Sequence, residues 1–178
     1  FKKEDVDEFF LRRFKKDVRH EVDGEFKPRE LELHKLDASS AENTVFELLS
    51  KAEFQTIDRQ KKKGRGILFR TLLLKAFLSS PAACASTIRH RLAHDAMKDG
   101  EKAEVRHDRA ILEELLAALE AIKPATSSKY VQLREHLEDL GLKGGKSQER
   151  VVVFSERIDT LEFLREQLRK DLKLRADQ

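Results

Sequence analysis

Apolar residues recur along this chain at two different periods, and the change of period divides it into segments. Over residues 4–19, Val6, Phe10, Phe14 and Val18 stand four apart, with Phe9 and Leu11 beside them. That is the stripe of an amphipathic helix, and its opposite face carries Arg12, Arg13, Lys15, Lys16 and Arg19. Gly24 and Pro28 punctuate the chain before RELELHKL (29–36), where Leu31 and Leu33 alternate with Glu30, Glu32 and His34. A period of two predicts a half-buried strand. Ser39 and Glu42 then stand at capping-box spacing. Behind them Val45, Leu48, Leu49 and Ala52 predict a helix to about residue 60. The run KKKGRG (61–66) reads as a solvated loop or an interrupted turn.

GILFRTLLLKAFL (66–78) is too long and Leu-rich for an ordinary strand and predicts the central buried helix. Ser79, Ser80 and Pro81 either kink or end it, because proline lacks a backbone donor and suits a first helical turn. A further helix follows from Pro81 to about Leu92, and then a polar stretch, 94–107, that reads as a mobile loop. Ile111, Leu112, Leu115, Leu116, Leu119 and Ile122 form the stripe of a helix over 108–122, stopped by Pro124. Tyr130, Leu133, Leu137 and Leu140 predict a short helix over 127–141 with Gly141 as its cap. RVVVF (150–154) has four consecutive apolar β-formers and predicts a strand covered on both faces. Asp159 and Glu162 repeat the capping-box spacing, and Leu161, Leu164, Leu168 and Leu172 continue as a helical stripe. The fold class is therefore mainly α. Residues 1–126 are helical with one short strand near 29–36, and 127–178 form a helix–strand–helix, an incomplete α/β unit.

Composition narrows the partners. Apolar residues make up 39% and charged residues another 39% of the 178, as expected of long surface helices joined by solvated loops. The net charge of +3 comes from 36 basic and 33 acidic residues, so any anionic partner must be held by local clusters rather than by bulk charge. Cys84 is the single cysteine; it excludes an intrachain disulfide and a cysteine-based zinc site, and fits a reducing cytosol or nucleus. No apolar run approaches the ~20 residues of a membrane helix. The chain opens at Phe1 rather than methionine, and is expected to be a soluble intracellular fragment.

Two constellations imitate sites. GLKGGKS (141–147) places only three residues between Gly141 and Gly145, after a helix and before a strand. A phosphate loop needs four, with strand and helix in the opposite order, so a flexible basic loop is the better reading. His90 and His94 stand one helical turn apart, yet the sequence supplies no third metal ligand, since His107 and Asp108 lie beyond the polar stretch. Cys84, flanked by alanines, reads as a packed thiol. No catalytic or metal-binding residue is assigned. The basic cluster Arg12, Arg13, Lys15 and Lys16 backs onto three phenylalanines, which would fix its orientation. It is either a solvated helix face or a set of phosphate contacts.

Several segments, in order, resemble the Swi/Snf-like branch of the superfamily-two helicases, especially its bacterial RapA-like members. FLRRFKKDV (10–18) is similar to the L-R-R-x-K-x-D-V signature that follows the first RecA-like lobe, with Leu11, Arg12, Arg13, Lys15, Asp17 and Val18 matching. FKPRELELHKLDASSAE (26–42) resembles the aromatic-Pro-Arg strand and helix after it. LLLKAFLSSPAACASTIRHRL (72–92) looks like the family's Lys-x-x-x-Ser-Ser helix, and KYVQLREHLEDL (129–140) like the helix entering the second lobe. RVVVFSERIDTLEFLREQL (150–168) resembles the fourth helicase motif, a buried strand ending in Phe-Ser before a Thr-Leu helix start.

The resemblance implies that 1–126 is the helical protrusion between lobes and 127–178 the beginning of the second RecA-like lobe. It implies a parent that uses ATP and magnesium to move along duplex DNA in the cytoplasm. The phosphate loop, the acidic magnesium motif and the arginine finger are absent from this chain, so it is expected neither to bind nor to hydrolyse ATP. Ser155, Glu156 and Arg157 would face the nucleic-acid backbone, with Arg12, Arg13, Lys15 and Lys16 as further contacts. Without neighbouring strands, 150–154 is expected to pair with a second copy of the chain or to remain poorly ordered. The competing reading is a helical protein-interaction module with no nucleic-acid role.

Overall fold

A computed structural model of the chain describes residues 30–58, 65–94, 97, 102–144 and 150–174. The chain divides into two units, Phe1–Lys35 and Leu36–Gln178. In the first, Glu30–Lys35 run without regular structure, and Leu31 and Leu33 are 78% and 84% exposed. The expected strand is not formed there: alternation alone cannot hold an extended segment without a partner ladder or an apolar layer to cover one face. The predicted helix over 4–19 lies outside the described residues.

The second unit is mainly helical, and each helix begins or ends for a reason visible in its sequence. Helix α1 (Ser40–Lys51) opens on the predicted capping box: the Glu42 amide donates to Ser39 Oγ at 3.3 Å, and the Ser39 amide to Glu42 Oε2 at 2.8 Å. The helix does not continue to residue 60. It stops at Ala52, and a new short helix, α2 (Gln55–Asp58), begins. The cause is remote. The buried Asp108 carboxylate accepts the Gln55 amide at 2.7 Å, the Thr56 amide at 2.9 Å and the Thr56 hydroxyl. A side chain 53 residues away therefore serves as the cap that would ordinarily come from the preceding residue.

Helix α3 (Arg65–Ser79) ends where the chain reads Ser79-Ser80-Pro81, and α4 (Pro81–Ala93) begins at once. Proline occupies the first helical position, and Ser80 Oγ accepts the Ala83 amide at 3.1 Å. Helix α5 (Ala103–Ala121) starts five residues before the predicted position, because Val105 and Asp108 are buried and draw its first turn onto the body. A 3-10 turn (Pro124–Thr126) leads to α6 (Ser128–Asp139). That helix closes with a Schellman pair: Leu142 N–H donates to Leu137 O and Gly141 N–H to Glu138 O, both at 2.9 Å. Gly141 has φ of 78°, a left-handed conformation that a side chain would strain. Helix α7 (Ile158–Asp171) starts after Arg157 and draws no side-chain cap from the predicted Asp159–Glu162 box, since Asp159 already lies inside the helix.

Helices α1, α3, α4 and α5 pack around one apolar cluster in which Val45, Leu49, Leu73, Cys84, Ile88, Leu112, Leu115 and Leu119 are almost wholly buried, and the short α2 rests against α3 and α5. Helix α4 is central, touching α3, α5 and α7. Phe54 meets Phe69 edge-on at 5.0 Å, and the Arg91 guanidinium lies 5.7 Å from the same Phe69 ring. The sequence reading of α3 as a fully buried helix is corrected. Leu73 and Ala76 are buried, but Ile67, Leu68, Leu72 and Leu78 are exposed, because no described element covers that side. A smaller cluster joins α6 and α7 through Tyr130, Leu137, Leu168 and Leu172.

Residues 150–154 do not form the expected doubly covered strand. They are irregular and exposed, with Val152 at 72% and Phe154 at 90%. A strand needs a neighbour for its amides and carbonyls, and the described residues contain no strand. The mainly α part of the predicted class thus holds, while the segment between α6 and α7 carries no sheet. Among the described residues, no helix is long and apolar enough to cross a membrane.

Candidate functional site

The break between α3 and α4 brings two hydroxyls to one point, and α7 brings two more. Thr160, in the first turn of α7, lies with its Oγ1 2.8 Å from Ser79 Oγ and 2.8 Å from Ser80 Oγ. Ser155, in the turn that precedes α7, lies 3.3 Å from Ser79 Oγ and accepts the Arg157 amide at 3.2 Å. Ser80 and Thr160 are buried, while Ser79 and Ser155 are half-buried. These four hydroxyls line one wall of a groove of ≈ 480 Å³.

The same groove is lined by a carboxylate clamp, Glu42 with Ser128. Glu42, 8% exposed, has completed the box at its own helix end and also accepts the Ser128 amide at 3.1 Å and the Ser128 hydroxyl. One carboxylate thereby serves the N-terminal turns of both α1 and α6, where helix dipoles favour negative charge. Burial alone would raise its pKa, but the hydrogen bonds from Ser128 and Ser39 outweigh that and hold it below its ordinary value of 4.5. Lys129, the next residue, donates to the carbonyl oxygen of Leu78 at the end of α3. The floor is apolar, formed by Phe77, Leu133, Phe163 and Leu164. Tyr130, which also lines the groove, donates to Asp171 Oδ2 at 2.6 Å and meets the Phe163 ring edge-on at 5.6 Å. Burial first, and the Asp171 carboxylate second, push the Tyr130 hydroxyl well above the ordinary tyrosine value.

Of the residues expected to meet nucleic acid, Ser155 lines this groove and accepts the Arg157 amide, while Arg157 is half-buried and Glu156 exposed. Arg12, Arg13, Lys15 and Lys16 lie outside the described residues. Sequence reasoning missed Ser79, Ser80 and Thr160 as partners of Ser155. The available signal was the Ser-Ser pair before Pro81, read as a helix end and as part of the Lys-x-x-x-Ser-Ser resemblance but not as a partner of Ser155. It also missed Glu42 as a link between helices, because a capping box is a local pattern and Ser128 stands 86 residues away.

The imitations of metal chemistry have other partners. His107 Nε2 lies 3.2 Å from the Glu53 carbonyl oxygen, and Asp108 caps α2. His90 sits on an exposed face of α4, and the described residues contain no group of three or more His, Cys, Asp or Glu that could hold a metal ion. Cys84 is buried with its thiol pushed up to about 12, by burial first and against the opposing pull of the Arg157 charge. A neutral thiol at that depth packs as a small apolar group. Residues 145–149 of the glycine- and lysine-rich loop lie outside the described residues. Compared with protein-family models, curated proteins and solved structures, the chain matches none of them.

Proposed function

We propose that this chain is part of an ATP-driven, Swi/Snf-like nucleic-acid translocase of the RapA-like branch, and that its own role is to brace the motor and hold the nucleic-acid backbone. On this reading residues 1–126 are the helical protrusion, and 127–178 begin a RecA-like second lobe whose sheet would include 150–154. The parent would be cytoplasmic, would bind ATP and magnesium through segments other than these, and would act on duplex DNA.

The observation that carries the reading is the meeting of two segments the resemblance picks out independently. The Ser79-Ser80 pair belongs to the first and Ser155 and Thr160 to the second, and their hydroxyls are bonded to one another across 76 to 81 residues of chain. A backbone-holding site needs donors at a fixed point and no base-reading geometry. Ser155 supplies a hydroxyl at one such point, and Arg157 follows two residues later with a half-buried side chain. Unpaired along its length, segment 150–154 would pair with a second copy of the chain when its own sheet neighbours are not present.

Binding of the chain to a labelled duplex of arbitrary sequence tests this directly. With about four phosphate contacts, from Arg12, Arg13, Lys15, Lys16 or Arg157, affinity should fall with a log–log salt slope near ~−3.6 and should not depend on sequence. Binding that ignores salt, or none at low salt, overturns the proposal. One observation favours the competing helical interaction module: the exposed apolar face of α3, with Ile67 and Leu68 at 61% and 69%. That reading expects no duplex affinity at any salt concentration.

A further inference from the structure

The hydroxyls beside Ser155 form a chain whose protons can be counted. Ser80 Oγ, Thr160 Oγ1, Ser79 Oγ and Ser155 Oγ are linked in that order by contacts of 2.8, 2.8 and 3.3 Å. Each end already accepts a backbone amide, Ala83 at Ser80 and Arg157 at Ser155. Four hydroxyls bring four protons, and three links use three. One proton remains.

Its position follows from burial and from cooperativity. When every hydroxyl both accepts and donates, the bonds polarise one another and strengthen, so the spare donor belongs at an end of the chain. The Ser80 end is buried, at 6% exposed, and a hydroxyl proton with no acceptor there would cost about 1–3 kcal/mol. The Ser155 end is half-buried and lines the groove. Either atom of each link could be the donor. The order that leaves no buried hydroxyl proton without an acceptor runs from Ser80 through Thr160 and Ser79 to Ser155, with the Ser155 Oγ–H as the spare donor. Ser155 accepts twice from the protein, from Ser79 and from the Arg157 amide, so both of its lone pairs are used. It can only give a hydrogen bond.

We propose that Ser80, Thr160 and Ser79 are positioning residues that turn Ser155 into an obligate donor for a phosphate oxygen, so that the α3–α4 hairpin sets the phosphate-holding geometry of the loop before α7. The inference rests on the reading of Ser155 and Arg157 as backbone contacts. It adds that residues contributed by a different part of the chain decide whether that contact is made. A charged acceptor is the one such a donor favours, because hydrogen bonds to ionised oxygens are roughly twice as strong as neutral ones.

The test uses the full 178-residue chain and a fluorescent duplex at low and moderate salt, with circular dichroism to establish that each variant is folded. Ser155→Ala should weaken binding on the order of tenfold, the effect of one hydrogen bond to a charged group, and leave the salt slope unchanged, since a neutral hydroxyl releases no counterion. Thr160→Val should weaken it as much, Thr160→Ser should restore it, and the Ser155→Ala/Thr160→Val double variant should be no weaker than either alone. Should Thr160→Val fail to fold, Ser79→Ala interrupts the same chain at a half-buried position and carries the same expectation. Arg157→Ala should flatten the log–log salt slope by about 0.9. If Ser155→Ala weakens binding while Ser79→Ala and Thr160→Val bind like the unaltered chain, the hydroxyl chain is overturned and the backbone contact survives. If neither Ser155→Ala nor Arg157→Ala changes binding, the backbone contact fails, and the positioning role fails with it.

Discussion

The two apolar clusters of the second unit are built by different means. Around α4, helices α1, α3 and α5 close a core in which leucine, isoleucine and valine side chains are almost wholly buried, and the buried Asp108 is fully engaged in capping α2. Between α6 and α7 the buried set is four residues, completed by a tyrosine whose hydroxyl must find Asp171. The neighbouring 150–154 leaves Val152 and Phe154 in solvent. The first cluster is closed by helices, which satisfy their own backbones and need only one apolar face covered. The second borders an irregular segment, 150–154, whose strand-like sequence would need a neighbouring strand to satisfy its amides and carbonyls. Burial thus does not follow from apolar content alone: RVVVF is a wholly apolar run after its arginine, yet Val152 and Phe154 are 72% and 90% exposed.

That contrast can be broken most sharply by truncating one leucine on each side. Leu112→Ala, in the larger core, should cost about 3–5 kcal/mol and Leu168→Ala, at the edge of the smaller cluster, about 1–3 kcal/mol, both read from urea unfolding midpoints. Equal losses would mean the two clusters are equally well packed. Next in size is Asp108→Ala, which leaves two amides and a hydroxyl of α2 without their acceptor and should cost about 2–3 kcal/mol. A thermal shift indistinguishable from that of an exposed control such as Glu113→Ala would show that α2 does not depend on its remote cap.

The Glu42 clamp gives a smaller and pH-dependent effect. Its pKa is held below 4.5 in the folded chain, so its contribution is complete above that value and is lost as pH falls through the lower, folded value. At neutral pH Glu42→Gln should lower stability by about 1 kcal/mol, and the gap between the two chains should close below pH 4.5. A gap that stays constant across that range would remove the carboxylate charge from the account. The smallest effect on the monomer is expected of Val152→Lys, a substitution at an exposed position. It should leave the unfolding midpoint within about 0.5 kcal/mol and abolish concentration-dependent self-association in sedimentation. A chain that sediments as a monomer at high concentration before any substitution removes the pairing proposal.

Helix positions were legible in the sequence wherever one face was both apolar and long. The stripes of α1, α5 and α7, the proline start of α4 and the Gly141 cap could all be read from neighbours within a few residues. What could not be read were features that need a residue from far along the chain. The split between α1 and α2 depends on Asp108, which looked like a metal-ligand decoy. The exposure of α3 depends on how many elements arrive to cover it, and its uniform leucine pattern carries no face to show which side that would be. The same limit governed the site. Ser155 and Arg157 were singled out from one local segment, whereas the bonding of Ser79 and Ser80 to Ser155 and Thr160 arises only through the fold.

The cap on α2 carries a consequence for the order in which this chain folds. A single turn of helix is unstable by itself, since nucleation fixes several residues for one hydrogen bond. Gln55–Asp58 has its first amides held by a carboxylate on α5, more than 50 residues later, and loop closure over that distance must precede the reward. Helix α2 is therefore expected to be among the last elements to form and the first to open. Slow amide exchange at Gln55 and Thr56 would then report not on that turn but on the docking of α5.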